Sequence, residues 1–169
     1  DALFDAPAPS APPEAAELGH ALLAAKIIAY DQGLTLLAAA STTFDWSLDL
    51  ARVAEIWRAG CIIRSALLDE ISRAVRAGLP QGQLMFAPAF ADRLKDGIPA
   101  LRKTVAAAAL GGHAAPALSA ALAYFDQLTH AHGTADLIQG QRDFFGAHGF
   151  ERTDREGKDF HGPWAMARG

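Results

Sequence analysis

At 169 residues, 51% apolar and 20% charged, the chain has the length of one domain and enough apolar content to bury a core, which excludes a disordered or low-complexity polypeptide. A formal charge of −4 supplies no field to gather nucleic acid or an anionic membrane, so any bound anion must be held by a local cluster. The single cysteine, Cys61, excludes an intrachain disulfide, no run reaches the roughly 18 apolar residues of a membrane span, and the start at Asp1 lacks the basic and apolar regions of a signal peptide, which together point to a soluble, cytoplasmic protein.

Methionine occurs only at Met85 and Met166, so the sequence has no initiator and reads as a fragment or a processed product. Residues 1–13 read as an Ala/Pro-rich linker or loop: in "APAPSAPPE" each proline lacks a donor and restrains the residue before it. From Glu14 to about Thr42 the pattern becomes helical. Pro13 stands just ahead, Glu14 and Glu17 lie in the first turn, and Leu18, Leu22, Ile27, Tyr30, Leu34 and Leu37 cover nearly every face, the mark of a buried helix. "STTFDWSLDL" interrupts it, and Ser47 or Asp49 could cap a short helix through "ARVAEIW". After Gly60, "CIIRSALLDEISRAVRAG" places Ile63, Leu67, Ile71 and Val75 four apart and stops at Gly78-Leu79-Pro80. "QGQLMFAPAFADR" reads as a loop with a short helical piece. "LKDGIPALRKTVAAAALGG" is helical with a kink or restart at Pro99, and "APALSAALAYFDQLTHAHG" and "TADLIQGQRDFFGAH" complete the set. The count is six or seven helices, and no period-two run bounded by hairpin turns argues for a sheet. The expected fold is all-α, a compact multi-helix domain over 14–148 with an extended C-terminal tail over 149–169.

Several chemistries lack their residues. None of the 15 glycines forms Gly-x-Gly-x-x-Gly, and there is no P-loop. His130 and His132 are two apart and His113 lies in a glycine-rich turn, so no pair has the i, i+4 spacing of a helical zinc site, and one cysteine cannot build a thiolate cage. Structural or surface histidines are the favoured reading. Cys61 reads as a small buried helix residue rather than a nucleophile.

Three segments in order, "AAKIIAYDQGLTLL", "WRAGCIIRSALLDEI" and "LIQGQRDFFGAH", followed by "FHGPW", resemble the all-helical C-terminal domain of 6-phosphogluconate dehydrogenase, from about Glu17 to Trp164. The resemblance implies part of an NADP-dependent oxidoreductase of the pentose phosphate pathway, which oxidises 6-phosphogluconate and decarboxylates it to ribulose 5-phosphate. It also implies a homodimer in which the C-terminal tail reaches into the other subunit, with no nucleic-acid or membrane partner. The family's NADP-binding Rossmann domain, general-base lysine and acid glutamate lie upstream of these residues. This chain is therefore expected to carry no catalytic, cofactor-binding or metal-binding residue, and to be an inactive dimer when isolated. Two substrate residues carry over: Arg142 matches the arginine that grips the substrate phosphate, and His148 matches the histidine beside it, both offered to the neighbouring subunit's site. The alternative is a non-catalytic helical dimerisation module.

The residue chemistry suits that role. A guanidinium presents a rigid, always-charged fork to phosphate oxygens, and an imidazole adds a donor and, when protonated, a charge. Phe144 and Phe145 would anchor the segment in an apolar surface, while Gly146 and Gly149 would turn the backbone away from the helix. Taken without the resemblance, Arg142 reads as a surface ion pair to Asp143 or Asp136. Arg58 and Arg64 read as structural ion pairs with Glu55, Asp69 or Glu70 ahead of a second anion patch, and Gly33 reads as a place of close helix packing. The tail is too charged for core; His161 and Trp164 match the family's tail anchors, whereas Gly162-Pro163 replaces its usual Thr and polar residue.

Overall fold

Leu18 donates its backbone N–H to Glu14 across 2.9 Å, opening the first of six helices among the described residues immediately after Pro12-Pro13. The computed structural model describes residues 11–164. Most of the expected linker therefore lies outside the described residues, and 11–13 are irregular. The helices are α1 (Ala15–Thr43), α2 (Leu50–Ile56), α3 (Leu67–Ala77), α4 (Pro88–Leu110), α5 (Pro116–Thr129) and α6 (Ala135–Gly146), with two single 3-10 turns, Pro80–Gly82 and Leu84–Phe86, before α4. Among the described residues there is no strand, only one antiparallel bridge between Phe150 and Phe160. The all-α expectation holds. The chain divides into two compact units, one ending at Phe125 and the other beginning at Asp126.

The first unit is organised by α1 and α4. α1 buries one face, Ala21, Ala24, Ala25, Ile27, Ile28, Asp31 and Leu34, while Leu18, Leu22 and Leu36 stay exposed. It is thus not buried all round. Against the expectation that no run is apolar enough for a membrane, α1 is by length and composition, with an 18-residue window of mean hydropathy 1.3. Its buried face is nonetheless packed in the core with Phe90, Leu94, Ala100 and Leu101 of α4, Leu68 and Ile71 of α3, and Leu84 and Met85. Full burial of each large apolar side chain contributes about 1.5–3 kcal/mol.

Of the glycines Gly33 on α1 and Gly97 on α4, Gly97 is the one at which the two helices pack closely. A Cβ at Gly97 would lie 2.8 Å from the Ala24 Cβ and 3.3 Å from the His20 carbonyl oxygen, whereas one at Gly33 would meet nothing within 4 Å. Gly33 is therefore no packing glycine.

Three helix boundaries differ from the sequence reading. α4 starts at Pro88, whose missing N–H costs nothing at a first helical position, so the stretch read as a loop holds its first turn. Pro99 lies inside the continuous helix without a restart. α3 starts only at Leu67. Residues 61–66 are held outside it by other bonds: the Tyr30 hydroxyl donates to the Ile63 carbonyl, Cys61 Sγ to the Trp57 carbonyl at 3.1 Å, and Lys26 Nζ to Ser65 Oγ at 3.2 Å. Ile62, 99% exposed, and Ile63 belong to that loop, and Cys61 is partly exposed and not helical.

Of the two candidate caps for α2, Asp49 is used, accepting the Arg52 N–H at 2.9 Å. Glu55 then ties α2 to α3, accepting from Arg76 at 2.8 Å and Ser72 at 2.9 Å, with Arg52 at 3.0 Å. The Arg76 bond, then those of Arg52 and Ser72, lower its pKa to about 2.

Candidate functional site

The second unit carries both predicted substrate residues, and its organising group is a carboxylate between them. α6 is capped at its C-terminus by Ala147, which adopts the left-handed conformation (φ 51, ψ 42) and donates its N–H to the Asp143 carbonyl at 2.8 Å. A left-handed non-glycine residue costs roughly 1–2 kcal/mol, so something must hold the chain there. Two residues on, Gly149 has φ +70, and its N–H donates to Asp143 Oδ1 at 3.0 Å. Gly146, expected to turn the backbone, is instead the last residue of the helix.

The Asp143 side chain is buried and accepts four bonds. Oδ1 takes Gly149 N and His161 Nδ1, the latter at 2.6 Å; Oδ2 takes Gly162 N at 2.9 Å and the Trp164 indole Nε1 at 2.8 Å. Burial alone pushes its pKa up, but the bonds from Gly162, His161, Gly149 and Trp164 outweigh it and hold the carboxyl well below the ordinary carboxylate range. The anion is thus fixed, and its acceptor-only oxygens place the His161 proton on Nδ1.

Around this hub, residues 149–164 fold back on α6. Phe150 and Phe160 exchange backbone bonds of 2.9 and 3.0 Å, the Arg155 guanidinium lies 5.0 Å over the Phe160 ring, and Phe144 meets Trp164 edge-on at 5.9 Å. Gly162 is required beside Trp164, because a Cβ there would overlap the indole. The expected tail is therefore attached here within its own chain as far as Trp164. An open cavity of about 420 Å³ is lined by Asp136, Gln139 and Gly140 of α6, by residues 150–154 and by Trp164; neither Arg142 nor His148 lines it.

Arg142 is exposed, and its Nη1 donates to Gln139 Oε1 at 2.9 Å. Among the described residues it makes no ion pair, with Asp143, Asp136 or any other carboxylate. His148 is exposed, and its imidazole lies over the Gly146 backbone, so that a Cβ at Gly146 would come within 2.7 Å of His148 Cδ2. The two side chains stand at the same end of α6 without bonding to each other. Phe144 and Phe145 form an edge-on pair at 5.4 Å and are 48% and 70% exposed, and Phe144 also meets Trp164 edge-on.

The remaining candidates are separate. Arg58 pairs with Asp69 at 2.6 Å and donates Nε to the Glu55 carbonyl, so it is not free to form an anion patch with Arg64. Arg64 lines a groove with Lys26, Tyr30, Trp57, Ile62 and Ile63. His130 Nδ1 lies 2.7 Å from the Asp126 carbonyl, and His132 lies 3.8 Å from the Asp136 carboxylate. Asp143 escaped the sequence reading except as a possible partner for Arg142. Its donors lie 6 to 21 residues away, in a segment with no periodicity to point at them.

The family model for the 6-phosphogluconate dehydrogenase C-terminal domain matches residues 9–164. The decarboxylating 6-phosphogluconate dehydrogenase of Treponema pallidum is 46% identical over 153 residues, covering 90% of this chain and 31% of that protein. Its Escherichia coli counterpart is 45% identical over 145 residues, covering 86% and 31%. The Plasmodium falciparum 6-phosphogluconate dehydrogenase, solved in its apo form, with its cofactor NADP+ and with its substrate 6-phosphogluconate, matches with a TM-score of 0.82 at 43% identity, over 88% of this chain and 32% of that one. The chain spans about a third of the length of these relatives.

Proposed function

The chain belongs to the 6-phosphogluconate dehydrogenase family, as its C-terminal domain, and we propose that it serves as that domain in a dimeric, decarboxylating, NADP-dependent enzyme acting on 6-phosphogluconate. In this reading Arg142 and His148 bind the substrate phosphate in the neighbouring subunit's site. The observation that carries it is the state of Arg142: an exposed guanidinium that no carboxylate among the described residues neutralises, on a helix end fastened by Asp143. Such a group is available to a phosphate, to which it can present two parallel N–H donors. The exposed apolar row on the same helix, Leu137, Ile138, Phe144 and Phe145, supports a subunit contact beside it. In this reading the coenzyme is held by the remainder of such an enzyme, where a strand-to-helix turn would receive the dinucleotide's pyrophosphate. The metabolic setting supports a cytoplasmic location.

The test is steady-state kinetics of Arg142→Ala in the full-length enzyme. A charge-assisted contact remote from the reacting carbon acts chiefly on substrate binding. Its loss is expected to lower kcat/KM roughly ten- to a hundredfold, mostly through KM, with lysine rescuing in part. Unchanged kinetics for 6-phosphogluconate would refute the assignment.

A further inference from the structure

We infer that Gly146 is a positioning residue for His148: the missing side chain at the last residue of α6 is the seat on which the imidazole rests. This rests on the proposed role of His148 and adds a residue to that site.

The geometry follows from the helix end. Ala147 turns the chain into the left-handed region, and Gly149 N is pinned to Asp143 Oδ1 at 3.0 Å. His148 is thereby held between two fixed neighbours, and its ring is directed back over the helix terminus rather than outward. There the ring occupies the space of the absent Gly146 Cβ: Nε2, Cδ2 and Cε1 all fall within 3.2 Å of where that carbon would stand. Even a methyl group at 146 forces the imidazole off this position. The fold does not require the glycine. Gly146 has no positive φ, and the atoms that a methyl would meet belong to the end of an exposed side chain that can swing away. Alanine is moreover the better helix former. A glycine that helix stability disfavours and backbone geometry does not need is explained by the ring it accommodates.

The experiment compares Gly146→Ala, His148→Ala and the double variant in the full-length enzyme, reading thermal midpoint, kcat and KM for 6-phosphogluconate. Gly146→Ala is expected to keep or raise the thermal midpoint, leave kcat nearly unchanged and raise KM about three- to tenfold, a partial loss of a hydrogen bond to a charged group. If it acts through the imidazole, the double variant will match His148→Ala alone. Three outcomes overturn the inference. An unchanged KM in Gly146→Ala, with KM raised in His148→Ala, removes the positioning role and leaves the phosphate reading standing. Effects that add in the double variant show that Gly146 acts by another route. An unchanged KM in His148→Ala removes the phosphate reading and this inference with it.

Discussion

The Trp164 indole N–H donates to Asp143 Oδ2 across 2.8 Å, so the C-terminal segment is fastened to the same residue that sets the turn after α6. Asp143 lies next to Arg142 in sequence and bonds the residue after His148. One buried anion therefore controls the helix end, the following turn and the returning segment. Loss of any single donor leaves three. Loss of the carboxylate's charge weakens all four.

Asp143→Asn is accordingly expected to release the segment. The amide keeps one acceptor oxygen and turns an N–H₂ toward donors it cannot serve. In nuclear magnetic resonance the Trp164 indole proton should move to a solvent-exposed position, and proteases should cut within 150–164 faster. The pH dependence follows from the direction of the pKa. A carboxylate depressed in the fold contributes stability that is present above its unfolded value of about 4 and lost as pH falls through the folded value. The wild-type Trp164 signal should thus hold from neutral pH to below about 4 and change only under stronger acid. A Trp164 signal unaffected by Asp143→Asn would show that the carboxylate is not the anchor.

Asp31 has the opposite sign. It is fully buried on α1, Oδ1 accepts the Met85 N–H at 3.1 Å, and Oδ2 has no hydrogen-bond partner among the described residues. Burial, only partly offset by the Met85 and Leu84 N–H groups, raises its pKa. The neutral form is favoured in the fold, so nothing is lost below the unfolded carboxylate pKa of about 4, and stability declines as pH rises from there toward the folded value. Asp31→Asn removes the titration and keeps an acceptor for Met85. Urea unfolding at a series of pH values should show a flatter profile than wild type and a higher midpoint at pH 7. A variant profile parallel to wild type would mean that Asp31 carries no such penalty.

The two α1–α4 glycine positions make a contrasting pair. Gly33→Ala places a methyl in open space in the middle of a helix and should stabilise by about 0.5–1 kcal/mol. Gly97→Val drives a branched side chain against Ala24 and the His20 carbonyl and should destabilise by about 1–3 kcal/mol or more. Denaturant midpoints of the two variants check both signs. Equal and opposite results would reverse the assignment of the packing glycine.

That pair also shows where the sequence is legible. Both glycines interrupt helical patterns, and their local contexts do not differ in any way that marks one as a contact; only the α1–α4 crossing does. Features that depend on near neighbours were readable: Asp49 as one of two candidate caps, Gly78 as a stop, the span of α1. The proposed roles of Arg142 and His148 rest on a family resemblance alone, because an arginine and a histidine six apart carry no spacing signal of their own. The loop at 61–66 has a four-residue apolar recurrence that continues into α3, yet it is not helical, because Tyr30 and Lys26, more than 30 residues away, claim its backbone and Ser65. Asp143 was illegible for the same reason. Its function lies in donors brought to it by a fold-back of the chain, not in its own neighbours.

The proposed sharing of a site between subunits yields the last prediction. If Arg142 of one subunit serves the substrate bound mainly by its partner, an Arg142→Ala enzyme and an enzyme inactivated at the general-base lysine, expected upstream of these residues, should complement each other. A mixed dimer then has one site with an intact lysine and an intact arginine, and one site with neither. Equal amounts mixed at random place about half the dimers in the mixed state with one good site each, so roughly a quarter of wild-type activity should return. The assay is NADPH formation after dissociation and reassociation of the two proteins, at a substrate concentration too low for the Arg142→Ala sites to fill. If instead each subunit's Arg142 serves its own site, the mixed dimer holds one site lacking the lysine and one lacking the arginine. No activity beyond the average of the two parents can then appear. Recovery near the predicted quarter would support the shared site; activity at the parental average would confine Arg142 to its own subunit.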